Sequence, residues 1–267
     1  MKRKEERGLQ RLSCLLVVMF LAALIAGCEA QVATPGASPT KTMAATALAS
    51  SATPRPTYTA SPTATSIPGF DGWSVVNLQD VDIRSENGSL VMTLTHRALW
   101  FMEQRGVLVY KLVDGNFRIM ARVHTSKSSD PSRPPGGNGS VQLGGLRARN
   151  GESSQENYVF IVVGDDGNGL SVETKNTVDS LSKFDGPDWG SPDAELRLCR
   201  LGSTVSLHKR HVVTNEAWVQ TASFERADLP ETLQVGANIY TDAAPDLQVR
   251  YDNIKVEEIT GQADCSR

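Results

Sequence analysis

Beyond Arg11 the chain has no run of lysine or arginine, and its formal charge is only -3 with both signs interspersed. It therefore lacks the basic footprint that nucleic-acid binding requires. No second apolar stretch approaches the roughly 18 residues of a membrane span. No segment holds a 3.6-residue apolar period, which argues against a helical bundle. A Gly-x-Ser-x-Gly elbow and a Walker loop are both missing, and His96, His124, His208 and His211 include no pair at zincin spacing. His208 and His211 lie beside Lys209 and Arg210, which disfavours a metal ion between them. Residues 31–68 contain no Asp or Glu and few large apolar residues.

What is present begins with an address. Lys2, Arg3, Lys4, Arg7 and Arg11 precede an apolar run from Cys14 to Ala26, about 13 residues, the length of a signal h-region rather than a span. Ile25-Ala26-Gly27-Cys28 follows and resembles the lipobox of bacterial lipoproteins. The resemblance implies cleavage before Cys28, acylation of its thiol and a membrane-tethered, extracytoplasmic protein. Two or three acyl chains anchor stably where one does not. Glu29 stands where an inner-membrane retention signal would place Asp, which points to the outer membrane if the cell has one. Residues 28–68 then form an Ala/Thr/Ser/Pro-rich stalk, too poor in buriable surface to offset its ordering entropy.

Residues 69–260 carry the signature of an all-β sandwich, with 261–267 as a tail. Phe117, Ile119, Ala121 and Val123 alternate with Arg118, Met120, Arg122 and His124, a strand with one buried face. Tyr158, Val159, Phe160, Ile161 and Val162 are continuously apolar, as in a strand buried on both faces. Val249, Tyr251, Ile254 and Val256 form a closing strand whose phase slips at Asp252-Asn253, like a bulge. Asn116-Phe117, Gly144-Gly145-Leu146, Glu156-Asn157-Tyr158-Val159, Glu195 to Arg200, Trp218 and Leu233 to Ala237, in that order, are similar to DUF1349-like concanavalin A-like domains. That resemblance implies two curved antiparallel sheets in a jelly roll and no particular reaction.

Sandwich-fold glycosidases of the laminarinase type carry Glu-x-Asp-x-Glu or Glu-x-Asp-x-x-Glu on one strand. Neither spacing occurs here, and Glu173, Glu225, Glu257 and Glu258 read as solvated carboxylates. The sequence therefore points to non-catalytic binding of a glycan or other surface polymer; a divergent glycan-active enzyme and a structural envelope protein are the alternatives. Trp189, in a polar loop, is the aromatic expected to stack on a sugar, unless it folds back to cap the sandwich edge. Arg118, Arg122 and His124 share one face and are expected to line the concave sheet beside it, unless that face is simply solvated. Trp218 is expected in the core, and Trp100 fits either side. No cofactor is required. Calcium is conceivable at Asp165, Asp166 and Asn168 or at Asp185, Asp188 and Asp193, although such loops are also ordinary turns. Once Cys14 is cleaved off and Cys28 acylated, Cys199 and Cys265 are the remaining thiols and are expected to pair.

Overall fold

The computed structural model describes residues 63–64, 67–100, 106–212 and 216–266. The signal segment, Cys28 and most of the stalk lie outside the described residues. The strands are β1 (Thr63–Ala64), β2 (Ser74–Val76), β3 (Val81–Glu86), β4 (Ser89–Leu94) and β5 (Val107–Asp114). They continue with β6 (Phe117–Ser126), β7 (Val141–Arg149), β8 (Tyr158–Asp166), β9 (Leu170–Val178) and β10 (Leu181–Asp185). The last are β11 (Asp193–Leu201), β12 (Thr204–Arg210), β13 (Val219–Glu225), β14 (Thr232–Thr241) and β15 (Gln248–Glu258), before a short helix α1 (Gln262–Ser266).

Two antiparallel sheets face each other as a jelly-roll sandwich. One has eight strands in the order β1-β2-β5-β14-β7-β8-β9-β10, and the other seven in the order β13-β12-β11-β6-β15-β4-β3. The alternating side chains of β6 decide which way it faces. Phe117, Ile119, Ala121 and Val123 enter the inter-sheet core, while Arg118, Met120, Arg122 and His124 point outward. In β15 the register shifts between Asp252 and Lys255, and Asn253 takes a left-handed φ of 53°, a conformation asparagine tolerates well. This is the bulge expected there.

Both faces of β8 are buried, as its unbroken apolar run predicts. Val159, Ile161 and Val163 join the inter-sheet core, whereas Tyr158, Phe160 and Val162 belong to a second cluster with Trp100 and Tyr240 on the sheet's far side. The folded part starts before Gly69. Thr63 and Ala64 pair with Val75 and Ser74, and Ile67 is buried in the core. Composition placed those residues in the stalk because Ile67 is a lone apolar residue among prolines and threonines, yet full burial of one such side chain stabilises by about 1.5–3 kcal/mol. At the other end, Cys199 on β11 is joined to Cys265 of α1, with Cα atoms 5.8 Å apart, within the range a disulfide needs. The bridge lays the tail across the outer face of the seven-stranded sheet, where Arg197 donates to the Cys265 carbonyl (2.6 Å) and Arg118 to that of Asp264 (2.5 Å).

Candidate functional site

The outer face of the eight-stranded sheet carries a cluster of aromatic and ionisable side chains. Strand register sets a row across it: Tyr110, Gly236, Arg147, Phe160, Lys175 and Phe184 are successive neighbours on β5, β14, β7, β8, β9 and β10. Aromatic and cationic side chains alternate along the last four positions. Arg147 lies between two rings, its guanidinium carbon 3.4 Å from the Trp100 centroid and 3.6 Å from that of Tyr158. Tyr158 stacks on Phe160 at 5.6 Å and donates from its hydroxyl to the Trp100 carbonyl at 2.9 Å. The row ends on Phe184, which is 67% exposed on an edge strand and 5.7 Å from the Lys175 ammonium. An exposed aromatic thus stands next to a buried polar cluster.

The buried part of this face is unusual in its hydrogen bonding. Trp100 Nε1, Arg147 Nε and Nη1, and Arg149 Nη1 are donors with no acceptor. Ser171 Oγ, Gln234 Oε1, and both Oδ1 and Nδ2 of Asn238 are equally without a partner. That makes eight buried atoms on one face, where a native interior leaves few polar groups unsatisfied. Burial drags the Arg147 pKa down to about 9, with Arg149 adding repulsion. Glu173 is also buried here. Its carboxylate accepts from Tyr240 (3.3 Å) and lies 3.7 Å from the Lys175 ammonium. Burial raises its pKa, and Lys175 acts against that rise. The expectation of a solvated Glu173 is thus corrected, because Tyr240 and the neighbouring strands cover its position.

The residues singled out from sequence lie on the other sheet. Arg118, Arg122 and His124 do share one face of β6, but each is matched by a carboxylate directly across the ladder. Arg118 pairs with Glu257 at 2.5 Å, Arg122 with Glu195 at 3.6 Å, and His124 with Asp193. The hydrogen bond from His124 to Asp193 raises the histidine pKa. Trp189 folds back toward the sandwich edge. Its ring is parallel to that of His211 with centroids 3.7 Å apart, Lys209 Nζ stands 4.7 Å from its centroid, and Nε1 donates to the Asp193 carbonyl at 2.8 Å. It packs half-buried against the core, as an edge cap does. Trp218, expected in the core, instead meets the Arg197 and Arg210 guanidinium groups at 3.9 and 4.4 Å. With Arg122 and Glu195 these residues line a hollow of about 290 Å³.

The acidic loops make local hydrogen bonds. Asp165 and Asp166 accept from the Gly167 and Asn168 amides of their own turn (2.7 and 2.9 Å), and Asp193 is engaged by His124. Among the described residues no three His, Cys, Asp or Glu side chains gather to hold a metal ion.

No family model matches the sequence, and no curated protein does. Solved structures match in fold. A functionally unknown protein from Saccharomyces cerevisiae aligns with 71% of this chain and 98% of its own, at 12% identity and a TM-score of 0.59. The xylan β-1,4-xylosidase of Bacillus halodurans C-125 aligns with 75% of this chain at 10% identity and a TM-score of 0.53. The GH43 protein BlXynB of Bacillus licheniformis aligns with 70% at 11% identity and a TM-score of 0.53. This chain spans only 38% and 37% of those two proteins. At these identities the likeness is one of fold, a two-sheet antiparallel jelly roll, and leaves function to the residues of the site.

Proposed function

We propose that this protein binds a carbohydrate polymer, without cleaving it, on the outer face of its eight-stranded sheet. The observation that carries this reading is the set of eight buried polar atoms without partners, interleaved with the rings of Trp100, Tyr158, Phe160 and Tyr240. A sugar presents hydroxyls that both donate and accept, and C–H faces that pack on aromatic rings. The partnerless set likewise holds donors on Trp100, Arg147 and Arg149 and acceptors on Gln234 and Asn238. The buried carboxylate of Glu173, its pKa raised by burial, is held beside Lys175, which suits a structural acceptor better than a proton donor. The likeness of the sandwich to part of a xylan-directed enzyme is in keeping with a carbohydrate ligand.

The same reading places the protein outside the cytoplasm, tethered by lipid on Cys28, with the stalk holding the sandwich clear of the membrane. The DUF1349-like resemblance belongs to it too. Metabolic labelling with a palmitate analogue, lost in Cys28→Ala, tests the anchor. A glycan array with the purified full-length chain, followed by Phe184→Ala and Asn238→Ala, tests the binding face. Phe184→Ala should weaken binding about 3–10-fold, the worth of one aromatic contact, with an unchanged unfolding midpoint because the ring is exposed. Binding that survives both substitutions intact would place the ligand elsewhere.

A further inference from the structure

Among the described residues, Arg147, Arg149 and Lys175 line the outer face of the eight-stranded sheet. Lys175 has Glu173 at 3.7 Å. Glu156 acts at longer range on both arginines. Arg147 is the more deeply buried of the two, has no carboxylate within ion-pair distance among the described residues, and neither its Nε nor its Nη1 has an acceptor. Its cross-strand neighbours are Gly236 and Phe160, neither of which can supply an anion. With a pKa of about 9 the guanidinium remains charged at neutral pH. A buried charge without a partner is among the more costly features a fold can hold, several kcal/mol as a rule. Cation–π contact with two rings offsets part of this but leaves the N–H edge of the guanidinium unused.

From this we infer that the polymer bound on this face is acidic, and that a uronate carboxylate docks on the Arg147 edge. The inference rests on the reading of this face as a carbohydrate site. The guanidinium lies between Trp100 and Tyr158, whose rings are inclined at 58° to one another, and its donors lie in its own plane. That is the geometry a planar carboxylate meets with paired hydrogen bonds. Asn238, on the same face two residues along β14 from Gly236, also has both amide atoms unpartnered.

The test compares each uronate oligomer with its own methyl ester, which keeps the sugar and removes the charge. Isothermal titration of the full-length chain with glucuronate, galacturonate and mannuronate oligomers should show at least one binding tenfold or more tighter than its ester. Arg147→Met should abolish that preference. Arg147→Lys, which keeps the charge and loses the fork, should retain a reduced preference. Equal affinity for acid and ester overturns the acidic assignment and leaves the carbohydrate reading intact. Tighter binding of dextran sulfate than of every uronate overturns the carboxylate. Silence toward all uronates, all esters and the neutral array overturns the carbohydrate reading and this inference with it. If Arg147→Met does not fold, the acid–ester comparison on the unaltered chain still decides.

Discussion

Cutting the Cys199–Cys265 bridge should be the most damaging conservative change to the fold. The bridge spans 66 residues of sequence. Closing a loop of that length removes about 15 cal/mol/K from the unfolded chain, or about 4 kcal/mol at 25 °C. The loss extends to the folded state. With the tail released, Arg197, almost fully buried, loses its bond to the Cys265 carbonyl, and Arg118 loses the Asp264 carbonyl. Those same bonds also hold the tail in place without the bridge, so the two effects oppose one another and about 3–5 kcal/mol is expected in total. For a domain of this size that lowers the midpoint by roughly 6–20 °C. The assay is urea unfolding of Cys199→Ala/Cys265→Ala beside the oxidised parent, with peptide mapping after alkylation of the unreduced, unfolded chain. A shift under 1 kcal/mol, or a parent in which Cys199 is alkylated, would refute the reasoning.

Two further outcomes follow from single residues. Trp189→Ala should destabilise by about 2–3 kcal/mol, a partly buried share of the usual cost of losing a core aromatic, and leave polymer affinity unchanged; weakened affinity at an unchanged midpoint would restore Trp189 as a ligand contact. His208 is buried beside Arg197, and burial first, then the arginine, lowers its pKa to about 4. Because this folded pKa lies below the unfolded value near 6.5, its contribution is complete above pH 6.5 and is lost as pH falls from 6.5 toward 4. The full displacement corresponds to about 3 kcal/mol, and solvent screening reduces the expected loss to about 1–2 kcal/mol. His208→Gln should flatten that acid limb in a stability–pH profile, and an unaltered limb would show that another group titrates there.

Strand content was legible in the sequence because alternation reports directly on burial. The inward set of β6, the bulge at Asp252-Asn253 and the doubly buried β8 follow from which residues are apolar and at what spacing. The start of the fold was not legible. Thr63, Ala64 and Ile67 have the same composition as the stalk; pairing with β2 distinguishes the first two and burial in the core the third. Edge strands this short carry almost no pattern of their own.

The site proposed from the structure differs from the one read in the sequence, for a reason that lies in strand register. Outward cations on β6 read as a binding face only while their cross-strand neighbours are unknown. In the sandwich, Arg118 stands opposite Glu257, Arg122 opposite Glu195 and His124 opposite Asp193, with Glu195 shared between Arg122 and Arg210. Cross-strand opposite charges contribute modestly to sheet stability. Arg147 stands opposite a glycine and a phenylalanine, and it is this pairing, rather than its own spacing in β7, that leaves it without an anion. One signal did bear on it. A strand apolar on both sides, such as β8, requires a cover over its outer face, and an arginine on the adjacent strand's outer face must share that cover. Arg147 and Arg149 satisfy this condition beside Tyr158 and Phe160. A cation forced under an apolar cover has to be paired, stacked or matched by a ligand, and Arg147 is stacked without being paired.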